Sequence, residues 1–210
     1  MTEFSEVVRN RRMTRSFAPD PVDPEIVVEL VELASRAPSA GKTQGWHVVV
    51  LEGASEVARY WNITLPIEKR TTFRWQHLLD APVLMIALAD PSAYVDRYAE
   101  TDKIRTGLGD GIEAWPAPYW TIDGSMAVMT MLLAAEDHGL GALFFGVFQR
   151  ETEVRAELGI PAEVEIIGAI ALGHPRDDSE IEPGRSSKRE RRSADQIIHR
   201  GRWSSPAPPR

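Results

Sequence analysis

Seven consecutive apolar residues, Val83-Leu84-Met85-Ile86-Ala87-Leu88-Ala89, constrain this chain more than any other stretch. The run follows the breaker Asp80-Ala81-Pro82 and gives way to polar sequence at Asp90. A strand exposed on one side alternates apolar and polar residues; this one does not. It reads as a central strand, covered on both faces. Three shorter runs supply its neighbours: Trp46 to Leu51 with its Val48-Val49-Val50 core, Ala142 to Phe148 carrying Gly146, and Glu165 to Leu172 before Gly173-His174-Pro175.

The helices that cover such a sheet are also visible. Residues 3–12 place Phe4, Val7 and Val8 on one face. Asp23 stands as N-cap with Pro24 at the first helical position, followed by Val27, Leu30, Val31 and Ala34 at helical spacing, and the helix ends near Pro38. Residues 55–61, 73–80 and 151–158 read as further helices. Asp123 to His138, stopped by Gly139, is apolar nearly all round through Met126, Val128, Met129, Met131, Leu132 and Leu133. Such a helix belongs in a large core or a subunit interface, and its methionines read as packing. Residues 90–122 read as a long loop, polar, then Gly-rich, then aromatic at Trp115, Tyr119 and Trp120. That composition suits either a lid or a surface excursion.

The inventory excludes several classes of function. At 210 residues with 43% hydrophobic and 26% charged, the chain fits one soluble globular domain, residues 1–203, followed by a Pro-rich tail at 204–210. The net charge of −7 argues against general nucleic-acid binding. No signal core or membrane span is visible, and the lack of Cys suits a reducing, cytoplasmic setting. Five histidines without ligand spacing and no Cys leave no basis for a metal site. There is no GxSxG elbow and no Walker loop. Gly107-Leu108-Gly109-Asp110-Gly111 neither follows an apolar strand nor opens an apolar helix, so it is not a dinucleotide fingerprint. An enzyme with this inventory takes its chemistry most simply from an organic cofactor.

Three segments stand out as candidates to hold one. Arg11-Arg12-Met13-Thr14-Arg15-Ser16-Phe17 puts three arginines in five residues, a phosphate-binding composition that also suits a solvated turn. Ala37-Pro38-Ser39-Ala40-Gly41-Lys42-Thr43-Gln44-Gly45-Trp46 joins a helix to a strand with small and polar residues, which either lets backbone approach a flat ligand or is an ordinary connection. Lys188-Arg189-Glu190-Arg191-Arg192 is a basic cluster in an acidic chain, followed by the apolar Ile197, Ile198 and Trp203.

In this order, with Ala142-Leu143-Phe144-Phe145-Gly146 behind a long apolar helix, these segments resemble the FMN-dependent nitroreductase family over nearly the whole chain. The resemblance implies an α+β fold with a mainly antiparallel central sheet flanked by helices. It implies an intertwined homodimer whose two FMN sites draw on both subunits. It places Arg11, Arg12 and the Met13 backbone at the FMN phosphate, with Arg189 and Arg191 closing on it, and Arg15 at the ribityl chain and the N1/O2 side of the ring. Pro38, Ser39 and Ala40 are placed under the ring and Lys42 and Gln44 beside it. The Phe145-Gly146-Val147 backbone is placed at flavin N5 and O4, and Arg74 at the ring edge.

The implied reaction passes hydride from NADH or NADPH through flavin N5 to a nitroaromatic, quinone or other conjugated acceptor in ping-pong fashion, with no dedicated catalytic side chain. Trp115, Tyr119 and Trp120 are the candidates to stack on that acceptor. A specialised flavin enzyme that dehalogenates, desaturates or fragments one metabolite remains open, as does a non-catalytic FMN-binding protein. The chain departs from many relatives at Met13, where they carry Ser, at Lys42, where they carry Asn, and at Gly45, where they carry Pro.

Overall fold

The structure is a computed structural model that describes residues 3–176 and 189–203. The chain divides at Arg176 into two units, which are taken separately. In the first unit, α1 (Phe4–Asn10) and α2 (Pro24–Ala34) precede β1 (Trp46–Glu52). Then come α3 (Gly53–Thr64), the single-turn α4 (Ile67–Arg70), β2 (Val83–Ala89) and α5 (Pro91–Ala99). The long α6 (Tyr119–Asp137), β3 (Gly141–Phe145), α7 (Glu151–Leu158) and β4 (Glu165–Gly173) complete it.

The four strands form one sheet in the order β1-β2-β4-β3, every neighbouring pair antiparallel. β2 is interior and all seven of its residues are buried, as an unbroken apolar run requires. Its side chains divide by the strand's period of two. Val83, Met85 and Ala87 join a core with residues of α2 and α6; Leu84, Ile86 and Leu88 join another with residues of α3 and with Val154 of α7. Helices therefore cover both faces of the sheet. The α+β architecture with a mainly antiparallel sheet stands as expected.

Several local expectations do not hold. Residues 73–80 form only a 3₁₀ turn at Gln76–Leu78, closed by the Leu78 N–H donating to the Trp75 carbonyl at 3.0 Å and the Leu79 N–H to the Gln76 carbonyl at 3.1 Å. Residues 90–122 are not one loop. Asp90 caps α5 by accepting from the Ser92 and Ala93 amides, and three short 3₁₀ turns follow before α6. α6 also starts four residues earlier than the sequence suggests, at Tyr119.

The N-terminal arm runs beside the outer edge of β3. Met13 bridges Ala142 in parallel fashion, and the Thr14 N–H donates to the Ala142 carbonyl at 2.9 Å. Gly141 permits this approach, since a Cβ there would lie 2.8 Å from Thr14 side-chain atoms. The described part of the second unit, 189–203, contains a 3₁₀ turn at Ala194–Gln196, with Ser193 and Gln196 forming a capping box and His199 stacked on Trp203 at 4.2 Å. The expected loose tail at 204–210 and Lys188 lie outside the described residues.

Candidate functional site

The first unit brings together two of the expected segments. Arg15, on the arm held along β3, lines a cavity of about 400 Å³ with Trp61, Trp75, Phe145, Gly146 and Phe148. Its Nη1 donates to the Met13 carbonyl at 3.1 Å, and its guanidinium lies 5.5 Å from the centre of the Trp75 ring. Trp61 stacks on Phe145 with ring centres 5.9 Å apart and planes 5° from parallel, forming a flat wall. Arg74 sits 5.1 Å from the Trp75 ring. β3 ends at Phe145, so Gly146 and Val147 continue beyond the ladder. A Cβ at Gly146 would come within 2.5 Å of the ring of Phe148, a side chain that is 90% exposed.

The other arginines of the arm differ from one another. Arg12 folds back on the end of α1, and its Nη1 donates to the carbonyls of Arg9, Asn10 and Arg11, the acceptors a helix leaves unsatisfied at its C-terminus. Arg11 does the opposite: its Nη1 is buried and has no hydrogen-bond partner among the described residues. A buried guanidinium nitrogen without an acceptor is costly, and an anion is the group that satisfies it. Arg189 and Arg191 are exposed in the second unit.

The 38–44 loop lies elsewhere. It leads into Trp46, the first residue of edge strand β1, whereas Phe145 ends the opposite edge strand β3. Three strand spacings, about 14 Å, separate those edges. Within the loop the Ser39 hydroxyl accepts from the Gln44 amide at 2.8 Å, and the Gln44 side chain donates to the Ser35 carbonyl at 2.7 Å. Pro38, Lys42 and Gln44 are exposed, and Ser39 and Ala40 are partly so. The loop rests on residues the sequence reading passed over. Buried Asp123 of α6 accepts from the Ala40 N–H and the Tyr94 hydroxyl, each at 2.8 Å, and Arg97 donates to the Gly41 carbonyl at 3.0 Å. Burial holds the Tyr94 hydroxyl well above the usual tyrosine range, keeping it a donor.

The aromatic segment is arranged differently from a stacking surface. Trp115 and Trp120 are buried with Tyr94 in a small core of their own, and the Trp115 indole N–H donates to the Leu108 carbonyl at 3.0 Å. Tyr119, at 38% exposure, is the one ring of the three open to solvent. Burial of the indoles is favoured because each removes a large apolar area from water.

Against known proteins, the model of the nitroreductase family matches residues 8–174. The chain belongs to the nitroreductase family. Among relatives, an NADH dehydrogenase of Thermus thermophilus is 30% identical over 184 residues, covering 80% of this chain and 84% of that protein. A 5,6-dimethylbenzimidazole synthase of Rhodospirillum rubrum is also 30% identical over 184 residues, covering 81% of each. Among solved structures, a protein of Exiguobacterium sibiricum in complex with FMN superposes with a TM-score of 0.72 at 17% identity, covering 97% of this chain and 98% of that one. That likeness confirms the nitroreductase fold. No helix among the described residues of this family member is long and apolar enough to cross a membrane.

Proposed function

We propose that this nitroreductase-family chain is an FMN-dependent NAD(P)H oxidoreductase acting on a flat conjugated acceptor. The observation that carries the reading is the buried Nη1 of Arg11, on the arm beside β3, which has no hydrogen-bond partner among the described residues. It fits a phosphate anion, and the cavity lined by Arg15 of the same arm has the flat apolar wall that a fused ring needs. Arg11, the Met13 backbone and Arg15 hold the phosphate and ribityl side. The Phe145-Gly146-Val147 backbone, free of the ladder beyond Phe145, meets the ring edge. Arg12 contributes by fixing the end of α1 from which Arg11 projects. When bound, FMN supplies hydride transfer between NAD(P)H and the acceptor, in two half-reactions on one face. The chain's own part is to bind, orient and exclude water; none of its side chains needs to move a proton.

The site is completed by a second copy. The 38–44 loop and the Arg15 cavity stand at opposite edges of one sheet, so Pro38, Ser39, Ala40, Lys42 and Gln44 reach a flavin from the partner. Ile122, Met126, Met129 and Leu133 form a partly open apolar stripe along α6, continuing the same argument for a homodimer. Tyr119 is the aromatic ring available to an acceptor.

The absorbance spectrum of freshly purified protein, followed by anaerobic titration with NADH and then NADPH, tests the proposal. A flavin spectrum bleached by at least one nicotinamide is expected. Protein that stays colourless after soaking in FMN, or a flavin that neither nicotinamide bleaches, rejects it. The 5,6-dimethylbenzimidazole synthase among the relatives supports a second reading, a specialised flavin enzyme with one metabolite as substrate. Indiscriminate reduction of unrelated quinones counts against that reading.

A further inference from the structure

Three of the four residues 41–44 have left-handed backbones: Gly41 at φ 61°, Lys42 at 57° and Gln44 at 53°. Two of them are not glycine, and lysine and glutamine rarely adopt that region unless neighbouring structure imposes it. The loop's own hydrogen bonds are short-range. What lies beneath it is not. Tyr94, Arg97 and Tyr98 occupy positions i, i+3 and i+4 of α5 and so share one face of that helix. All three meet the loop. The Tyr98 ring lies so close under Gly41 that a Cβ there would sit 2.8 Å from it, and the Tyr94 ring leaves the same 2.8 Å at Gly45. Arg97 grips the Gly41 carbonyl at 3.0 Å while its two terminal nitrogens are themselves fixed on Asp102 at 2.8 and 2.9 Å. Asp123, 2% exposed, ties the Tyr94 hydroxyl and the Ala40 amide to one carboxylate oxygen.

We propose that this face of α5, together with Asp123 of α6, is a positioning platform that imposes the loop's left-handed backbone and so fixes the surface the loop presents to the flavin. Tyr94, Arg97 and Asp123 touch neither cofactor nor substrate; they act through the loop. A loop released from the platform relaxes toward ordinary backbone angles and offers the ring a less ordered partner. The effect on flavin affinity rests on the cofactor reading above, whereas the effect on the loop does not.

Hydrogen exchange on the flavin-free protein separates the two. Tyr94→Phe keeps the ring and removes the hydroxyl, and Arg97→Ala removes the grip on Gly41. In both, amides of residues 40–45 are expected to exchange about tenfold faster, the scale of one lost buried hydrogen bond, while β2 and β4 stay unchanged. FMN titration by fluorescence quenching is expected to give affinities about tenfold weaker for both variants. Asp123→Asn, which keeps an acceptor oxygen, is expected to stay within about threefold of the parent in both measurements. Unchanged loop exchange in Tyr94→Phe and Arg97→Ala overturns the platform. Equal acceleration of the loop, β2 and β4 overturns it too, since that marks general destabilisation. A parent protein that fails to bind FMN removes the cofactor reading, and loop exchange still decides the platform.

Discussion

Replacing Arg11 by Met should move two measurements in opposite directions. The Arg11 side chain buries an Nη1 that has no acceptor among the described residues. An unsatisfied buried donor costs about 1–3 kcal/mol, and more when charged. Methionine keeps a long flexible stem and discards that cost, so the flavin-free variant should be at least as stable as the parent. For a chain of this size each kcal/mol is worth about 2–4 °C in melting temperature. The flavin-loaded form should suffer instead. A hydrogen bond from a charged group contributes about 1.5–3 kcal/mol, and its loss weakens FMN binding by about ten- to a hundredfold. Thermal unfolding by circular dichroism, with and without FMN at fixed protein concentration, reads both effects. Fluorescence quenching gives the affinity directly. A variant that melts lower without flavin and binds FMN as well as the parent would show that Arg11 serves the fold and refute the phosphate assignment.

Other consequences follow from packing and burial. A Cβ at Gly109 would lie 2.6 Å from the Ala99 backbone nitrogen, so Gly109→Ala should cost about 1–3 kcal/mol and lower the melting temperature by several degrees. An unchanged melting temperature would show that α5 and the turn at Leu108–Asp110 pack loosely. Burial raises Tyr60 to about 12 and Tyr94 further, both above the ordinary value near 10. Raised phenols contribute stability that is full below the unfolded value and lost as pH rises through the folded one. Urea unfolding should therefore show stability falling between pH about 10 and 12, and falling less in Tyr60→Phe. A flat profile across that window would contradict the burial argument.

Much of the fold was legible because it is written in local periodicity. β2 runs from Val83 to Ala89 and α7 from Glu151 to Leu158, as their apolar patterns and flanks indicate, and α2 starts at Pro24 behind its Asp23 cap. α5 carries the same Asp-Pro opening at Asp90-Pro91, with Tyr94 and Tyr98 four apart, yet its polar sequence and Gly-rich continuation disguise it. The turn at Gln76–Leu78 closes by bonds three residues apart and receives Phe17 from a distant part of the chain, a docking that no local period announces. The site was legible in its parts but not its arrangement. Residue type marks Arg11, Arg15 and the loop after Ala37 as unusual. Which strands become edges, and hence that loop and arm lie on opposite sides, depends on the order β1-β2-β4-β3. The link between Asp123 and Tyr94 spans 29 residues, beyond any helical or strand period. The inward turn of Trp115 and Trp120 likewise depends on the small core they share with Tyr94.

If one copy's arginine arm and the other's loop enclose each flavin, mixing two damaged subunits rebuilds an intact site. One flavin-free chain carries Arg11→Ala with Arg15→Ala; the other carries Ser39→Trp to block the loop surface. Each alone should bind little FMN. After unfolding and refolding together, mixed dimers hold one intact site and one doubly damaged site. Random pairing should then restore about a quarter of the parent's FMN capacity. Capacity no greater than that of the two variants measured apart would contradict a shared site.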